Sequence, residues 1–331
     1  MPGDDDRCRT APLLASGPGS LGQLPDLVDR LGVRTSLLVV GPGMAPVAER
    51  VRRLLGRRCV GTFSDALAHV PAREANLAVA SAQEVHADSV VGIGGGSAAG
   101  YAKIVALALR LPRIAVPATL SGAELTSRYL VSTAAGKEGG SSPTAAPRAV
   151  VRDPDLLAGV PARVLASSGM SAVGACVEVL AGPSRAGRAE AAAGLRLLWE
   201  TLPRLVRDPA EFDLRVGAQE GAALAGRALE AAGPGPAQLV AEDLGAAHRL
   251  DHGALMACLV PHRGAEADLA GLPGAAALHD FAEALELPVD LGALCPTVDA
   301  DALVDRLARR PDLAGQADPE SMLMLLKEAL R

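Results

Sequence analysis

The chain has 331 residues, more than one ordinary core accommodates, and fits two domains. Its residues are 49% hydrophobic and 21% charged but only 2% aromatic, so Ala, Leu and Val must do the packing and little stacking surface is left for bases. The net charge of -6 comes without a dense basic run, which argues against a nucleic-acid partner.

Met1 to Thr10 is acidic where a secretion signal would be basic, and no apolar run is expected to reach membrane-spanning length. A cytoplasmic protein with no membrane partner is the expectation. The 5 cysteines (Cys8, Cys59, Cys176, Cys258, Cys295) lie far apart without a CxxC pair, and read as reduced thiols. Ser36–Val40 reads as a buried strand ending in the turn Gly41-Pro42-Gly43, and Ala45–Leu55 carries helical periodicity. Cys59–Phe63 is a second strand and Ala72–Glu84 a second helix. Ser89–Ile93 is a third strand, breaking into Gly94-Gly95-Gly96-Ser97 before a helix from about Ala98 to Arg110. Arg113–Pro117 is a fourth strand, Thr133–Pro147 a loop or hairpin, and Ala149–Val151 one last strand. Strand and helix alternating at this spacing imply right-handed crossovers and a parallel sheet covered on both faces.

Beyond Val160 the pattern changes. Arg185–Leu205 and Leu214–Ala231 show helical periodicity, with Pro and Gly marking breaks and no strand between them. The expected architecture is an α/β parallel-sheet, Rossmann-like domain over residues 1–159 and an all-α domain over 160–331, with the active site in the cleft between them.

Gly94, Gly95, Gly96 and Ser97 lie between a strand and a helix start. Glycines there let the backbone approach a phosphate, and free N–H groups at a helix N-terminus favour negative charge. Ser97 can add a hydroxyl or act as the N-cap. The other reading is a glycine-rich turn with no ligand. The turn follows the third strand, unlike the usual dinucleotide fingerprint.

Several segments in order resemble the iron-containing alcohol dehydrogenase family, and within it the maleylacetate reductases. They are Gly17-Pro18-Gly19-Ser20-Leu21; Gly94–Ser97 with Gly100 and Lys103; Val116 to Thr126; Pro147-Arg148 to Asp153-Pro154; Ser168-Gly169-Met170; and His252 with Leu259-Val260-Pro261-His262. The resemblance implies a dehydroquinate synthase-like two-domain fold, a homodimer, and hydride transfer between NADH or NADPH and a small-molecule carbonyl or enone. Gly94, Gly95, Gly96, Ser97, Thr119 and Ser121 would face the cofactor. It also implies a metal held by an Asp and three His, polarising the substrate oxygen.

At those ligand positions this chain has Ser171, Ala175, Gln238 and His252, and Glu242 stands where the family often has a further His. One imidazole is a poor divalent site, so no metal is expected. The candidates for metal-free chemistry are His252, Glu242 and His248 as catalytic groups, with Gln238, Ser171 and Glu178 lining the substrate. Three have a plainer alternative: a satisfied histidine for His252, a surface carboxylate beside Asp243 for Glu242, a surface or cap residue for Gln238. His248 and His252 share a face only if the chain between them is helical, and Leu250–Gly253 reads instead as a loop entering a helix. Arg128 and Lys137 read as solvated charge, or as contacts to an anionic substrate.

Three functions fit. The first is a metal-independent NAD(P)H-dependent reductase of an activated C=C or C=O, where delocalised charge needs little Lewis-acid help. The second is a repurposed non-redox enzyme, such as a cyclase, dehydratase or lyase, with a vestigial cofactor site. The third is a catalytically silent homologue.

Overall fold

The structure is a computed structural model that describes residues 11–134, 136–264, 273–310, 313 and 318–331. Met1–Thr10, and Cys8 with them, lie outside the described residues. The chain divides into two compact units. One holds the chain as far as Ala118 together with Ala123–Thr133 and Gly139–Ala158; the other holds Thr119–Gly122, Ala134–Glu138 and the chain from Gly159 on.

The first unit contains strands β1 (Leu13–Ser16), β2 (Ser36–Val40), β3 (Cys59–Phe63), β4 (Ser89–Gly94), β5 (Arg113–Pro117) and β8 (Ala149–Arg152). They form a six-stranded sheet in the order β1-β8-β5-β4-β2-β3, and every pairing is parallel. Helices α1 (Leu24–Leu31), α2 (Ala45–Leu55), α3 (Ala72–Glu84) and α4 (Gly96–Leu109) cover it. Side chains on a strand alternate between faces. Leu38, Val40, Val91 and Ile93 therefore pack with Leu24, Val28, Val51 and Leu55 of α1 and α2. Leu37, Val39 and Val90 pack with Ala78 and Ala82 of α3 and Tyr101 and Val105 of α4. The buried carboxylate of Asp153 accepts the N–H groups of Gly19 and Leu21, both at 3.1 Å, and so fixes the turn that leads from β1 into α1.

The helices and strands expected from β2 to β5 are present, with α4 starting two residues earlier than the sequence suggested. Two strands went unread. β1 has only four residues, Leu13-Leu14-Ala15-Ser16, too few to show a strand pattern. β6 (Arg128–Thr133) pairs with β7 (Gly136–Ser141), so the segment expected as a loop or hairpin is a hairpin with an earlier start.

From Gly159 on, the described residues form helices and no strand: α5 (Ala162–Ala181), α6 (Arg188–Arg207), α7 (Phe212–Ala232), α8 (Pro236–His248), α9 (His252–Gly264), α10 (Ala275–Ala284), α11 (Leu291–Leu294), α12 (Ala300–Ala308) and α13 (Pro319–Ala329). α5 is the centre of this unit, packed by α6, α7 and α9. Glycines let the helices approach: a Cβ on Gly194 of α6 would meet the Gly221 carbonyl of α7 at 3.0 Å. Among the described residues, one helix, α5, with 20 residues and mean hydropathy 1.6, is long and apolar enough to cross a membrane by length and composition alone. Its burial among α6, α7 and α9 accounts for that composition. Cys59 is half-buried and Cys176, Cys258 and Cys295 are buried, all as free thiols.

Candidate active site

β2 continues through α2 to β3 on one side, whereas β4 continues through α4 to β5 on the other. Open parallel sheets bind ligands at such a reversal, beyond the carboxyl ends of the strands. Two glycine turns meet there. Gly41, after β2, donates its N–H to the Ile93 carbonyl at 2.9 Å. Gly94, at the end of β4, has φ +130°, and a Cβ on it would meet Met44 Cγ at 3.2 Å and Gly41 Cα at 3.4 Å. Gly95 is the N-cap residue of α4, and no side chain caps the helix. Nothing lies within 4 Å of a Cβ built on Gly96, so there is room beside the first turn of α4, whose N–H groups no side chain caps. Ser97 is therefore not the N-cap; it stands inside the first turn, half-buried.

Gly100 follows on α4, and a Cβ there would strike Val70 Cγ2 at 2.5 Å. Val70 and His69 both have left-handed backbones, with φ 54° and 63°. Ser132 holds that bend, its N–H reaching the Val70 carbonyl at 2.9 Å and its hydroxyl the His69 carbonyl at 2.7 Å. A larger residue at position 100 would not fit this bend. Lys103, which the resemblance groups with the glycine turn, is buried. Its ammonium donates to the Ala123 carbonyl (2.9 Å), Thr126 Oγ1 (2.7 Å) and the Arg128 carbonyl (2.7 Å). It shapes the segment after β5.

In the second unit Thr119 and Ser121 are half-buried, on a loop anchored by the Leu120 N–H to Ser168 Oγ at 3.1 Å. Gly122, with φ +69°, rests on α7, where a Cβ would meet the Ala222 carbonyl at 2.7 Å. On α8, Gln238 Nε2 donates to Glu242 Oε1 at 3.1 Å, one helical turn apart. Glu242 is 8% exposed and Asp243 2%, so neither is the surface carboxylate that the sequence allowed. Asp243 pairs with Arg306 of α12, whose Nε lies 3.2 Å from Oδ2. Lys137 of β7 is also buried, against the solvated charge expected, while Arg128 of β6 is half-buried.

Glu178 of α5 is buried with Arg263 of α9, Oε1 to Nε at 2.7 Å. Its Oε2 accepts the Ala237 N–H at 2.9 Å, so it closes the open first turn of α8. Burial pushes its carboxyl up, while Arg263 and the α8 N–H groups pull the other way. Glu178 thereby ties α5, α8 and α9 together. His248 is exposed at the end of α8, Arg249 turns left-handed with φ 56°, and half-buried His252 opens α9. The two histidines thus share no helical face, as the loop reading anticipated. Ser171 of α5 is half-buried and donates its hydroxyl to the Ser167 carbonyl at 3.1 Å.

At the positions where the resemblance expects metal ligands, the structure offers the Ser171 hydroxyl turned onto its own helix, no donor at Ala175, the Gln238 amide and the His252 imidazole. That set does not fit a divalent iron or zinc ion. Among the described residues, a group of His, Asp and Glu with ligand atoms within 4.8 Å of one another occurs elsewhere, at His279, Asp280 and Glu283 of α10. His279 also borders a groove of about 360 Å³ with Pro261, His262 and Val289, and none of the expected site residues lines it.

The family model for iron-containing alcohol dehydrogenase matches residues 12–154. The chain is 34% identical to a maleylacetate reductase of Burkholderia cepacia, over 91% of this chain and 90% of that protein. It is 30% identical to maleylacetate reductase 1 of Cupriavidus pinatubonensis, over 91% and 86%. The crystal structure of maleylacetate reductase from Agrobacterium tumefaciens superposes with a TM-score of 0.82 at 29% identity, covering 97% of this chain and 96% of that one. The chain therefore belongs to the iron-containing alcohol dehydrogenase family of oxidoreductases.

Proposed function

We propose that this chain reduces an activated C=C bond in a small unsaturated keto acid of the maleylacetate type, using NADH or NADPH and no bound metal. The end-to-end likeness to maleylacetate reductases carries the reading. The open glycine turn at the sheet reversal supports a diphosphate there, and the donor set around Ser171, Gln238 and His252 supports the absence of a metal.

When bound, the reduced nicotinamide supplies a hydride. Gly96, Ser97 and Ala98 would hold the diphosphate through their N–H groups; Thr119 and Ser121 are assigned to the cofactor by the family resemblance alone. Hydride addition to one alkene carbon moves the π pair onto the conjugated carbonyl, and a proton on the neighbouring carbon closes the enolate. We assign that proton to His252, with Glu242 beside Gln238 as the second candidate. An enolate spreads its charge over carbon and oxygen, so hydrogen bonds can stabilise it where a simple ketone would call for a cation.

The test is maleylacetate-dependent oxidation of NADH and NADPH by the purified protein, with cofactor binding followed by fluorescence. Gly96→Asp is the informative variant. Space is open at Gly96, and an acid in the first turn suits the helix, yet it repels a diphosphate. Cofactor affinity is expected to fall at least ~10-fold with the melting temperature unchanged or raised. A wild-type protein that binds neither cofactor at millimolar concentration overturns the reading and leaves a non-redox activity on this fold.

A further inference from the structure

We infer that Asp251 is the positioning residue for His252, anchored to α5 by Ser167; this deepens the assignment of His252 above and rests on it. The observations all lie in the helical unit. The Ser167 hydroxyl donates to the Asp251 carboxylate. The same carboxylate accepts the Ala254 N–H at 3.0 Å, and the Asp251 carbonyl accepts the Leu255 N–H at 3.1 Å, so Asp251 is the N-cap of α9. His252 is the first residue of that helix. The chain reaches Asp251 from the left-handed turn at Arg249, tied back by the Leu250 N–H to the Gly245 carbonyl at 3.2 Å. The backbone at His252 is therefore held from both sides of the sequence.

It is also fixed against α5. A Cβ on Gly253 would fall on the Ser167 carbonyl oxygen, so the backbones of α9 and α5 touch at this point. That carbonyl accepts the hydroxyl of Ser171 at 3.1 Å. The next residue, Ser168, donates to the Val164 carbonyl at 2.6 Å and accepts the Leu120 N–H at 3.1 Å. Neighbouring serines on one helix thus hold the start of α9 and the loop carrying Thr119 and Ser121. Any slack in Asp251 would displace the imidazole relative to that loop. Displacement of a reacting group by about 1 Å can cost ~100-fold in rate.

A double-mutant cycle with maleylacetate and NADH tests this. Asp251→Ala is expected to lower kcat about 10-fold or more, with KM for NADH unchanged and the protein folded by thermal melt. Asp251→Asn, which keeps a cap acceptor, should restore most of that loss, and Ser167→Ala should fall between. In a His252→Gln background Asp251→Ala should cost nothing further, because a residue acting through His252 has nothing left to position. A purely structural cap would give the same fold loss in both backgrounds, and that outcome, or a wild-type kcat for Asp251→Ala, overturns the inference alone. If His252→Gln by itself keeps wild-type kcat, the assignment of the proton to His252 fails and this inference falls with it.

Discussion

Single buried groups in this protein respond to their surroundings in ways that can be read chemically. Cys176 and Cys258 are buried, and desolvation pushes each thiol up to about 12. At pH 8 roughly 1 in 10,000 of either would be a thiolate, the form that reacts. Cys59 is half-buried and also raised by burial, opposed by Arg52 and by a hydrogen bond to Gly61. Thiol-disulfide reagents at pH 8 should therefore leave Cys176 and Cys258 unmodified in the native protein and label both in urea, read peptide by peptide by mass spectrometry. Rapid native labelling of Cys176 would show that α5 is not packed as described. The same shift has a stability sign. The folded thiols ionise later than the unfolded ones, whose ordinary value is 9.0, so stability is lost as pH rises past that value.

At the scale of elements, what decides the architecture is where backbones touch. Gly226 of α7 lies against the loop that carries Thr119 and Ser121, and a Cβ on it would fall on the Gly122 carbonyl oxygen. Neither partner is a flexible side chain, so Gly226→Ala must push the loop away. We expect a loss of about 1–3 kcal/mol by urea unfolding, together with a raised KM for the nicotinamide and a smaller change in kcat. An unchanged KM would mean that this loop does not meet the cofactor. Such contacts also mark the limit of what the sequence discloses. β2, β4 and β5 were legible because fully buried strands read as continuous apolar runs, and their glycine turn was legible because Gly, Gly, Gly, Ser at a strand exit has few structural uses. β1 and β6 were not, since their apolar stretches, Leu13-Leu14-Ala15 and Tyr129-Leu130-Val131, are only three residues long and are bounded by polar or turn residues. The buried Lys103 and the Ser167–Asp251 clasp were equally hidden, because each depends on partners distant in the chain or on bare carbonyls. Of the expected site residues, the structure joins Gln238 to Glu242, but it commits Glu178 to Arg263 and α8.

For the molecule as a whole, the proposed absence of a metal bears on what stabilises the fold. A metal held by protein ligands adds its binding free energy to folding, so removing it lowers the melting temperature as well as the rate. Here the expected ligand positions give one imidazole, one amide, a hydroxyl bonded to its own helix and an alanine. Prolonged dialysis against a strong chelator should therefore change neither the melting curve nor the rate of maleylacetate-dependent NADH oxidation. Added ferrous iron or zinc should not raise that rate. A nicotinamide held at the glycine turn should behave oppositely: at a hundredfold excess over Kd it stabilises the native state by about 2.7 kcal/mol. The exposed side chains of His279 and Glu283 can retain a stray ion, so metal content is best compared with that of His279→Ala, which disrupts that group on α10 without touching the proposed site. An ion that survives this substitution, leaves with the chelator and takes activity with it would place a metal among residues that the chemistry of their side chains argues against.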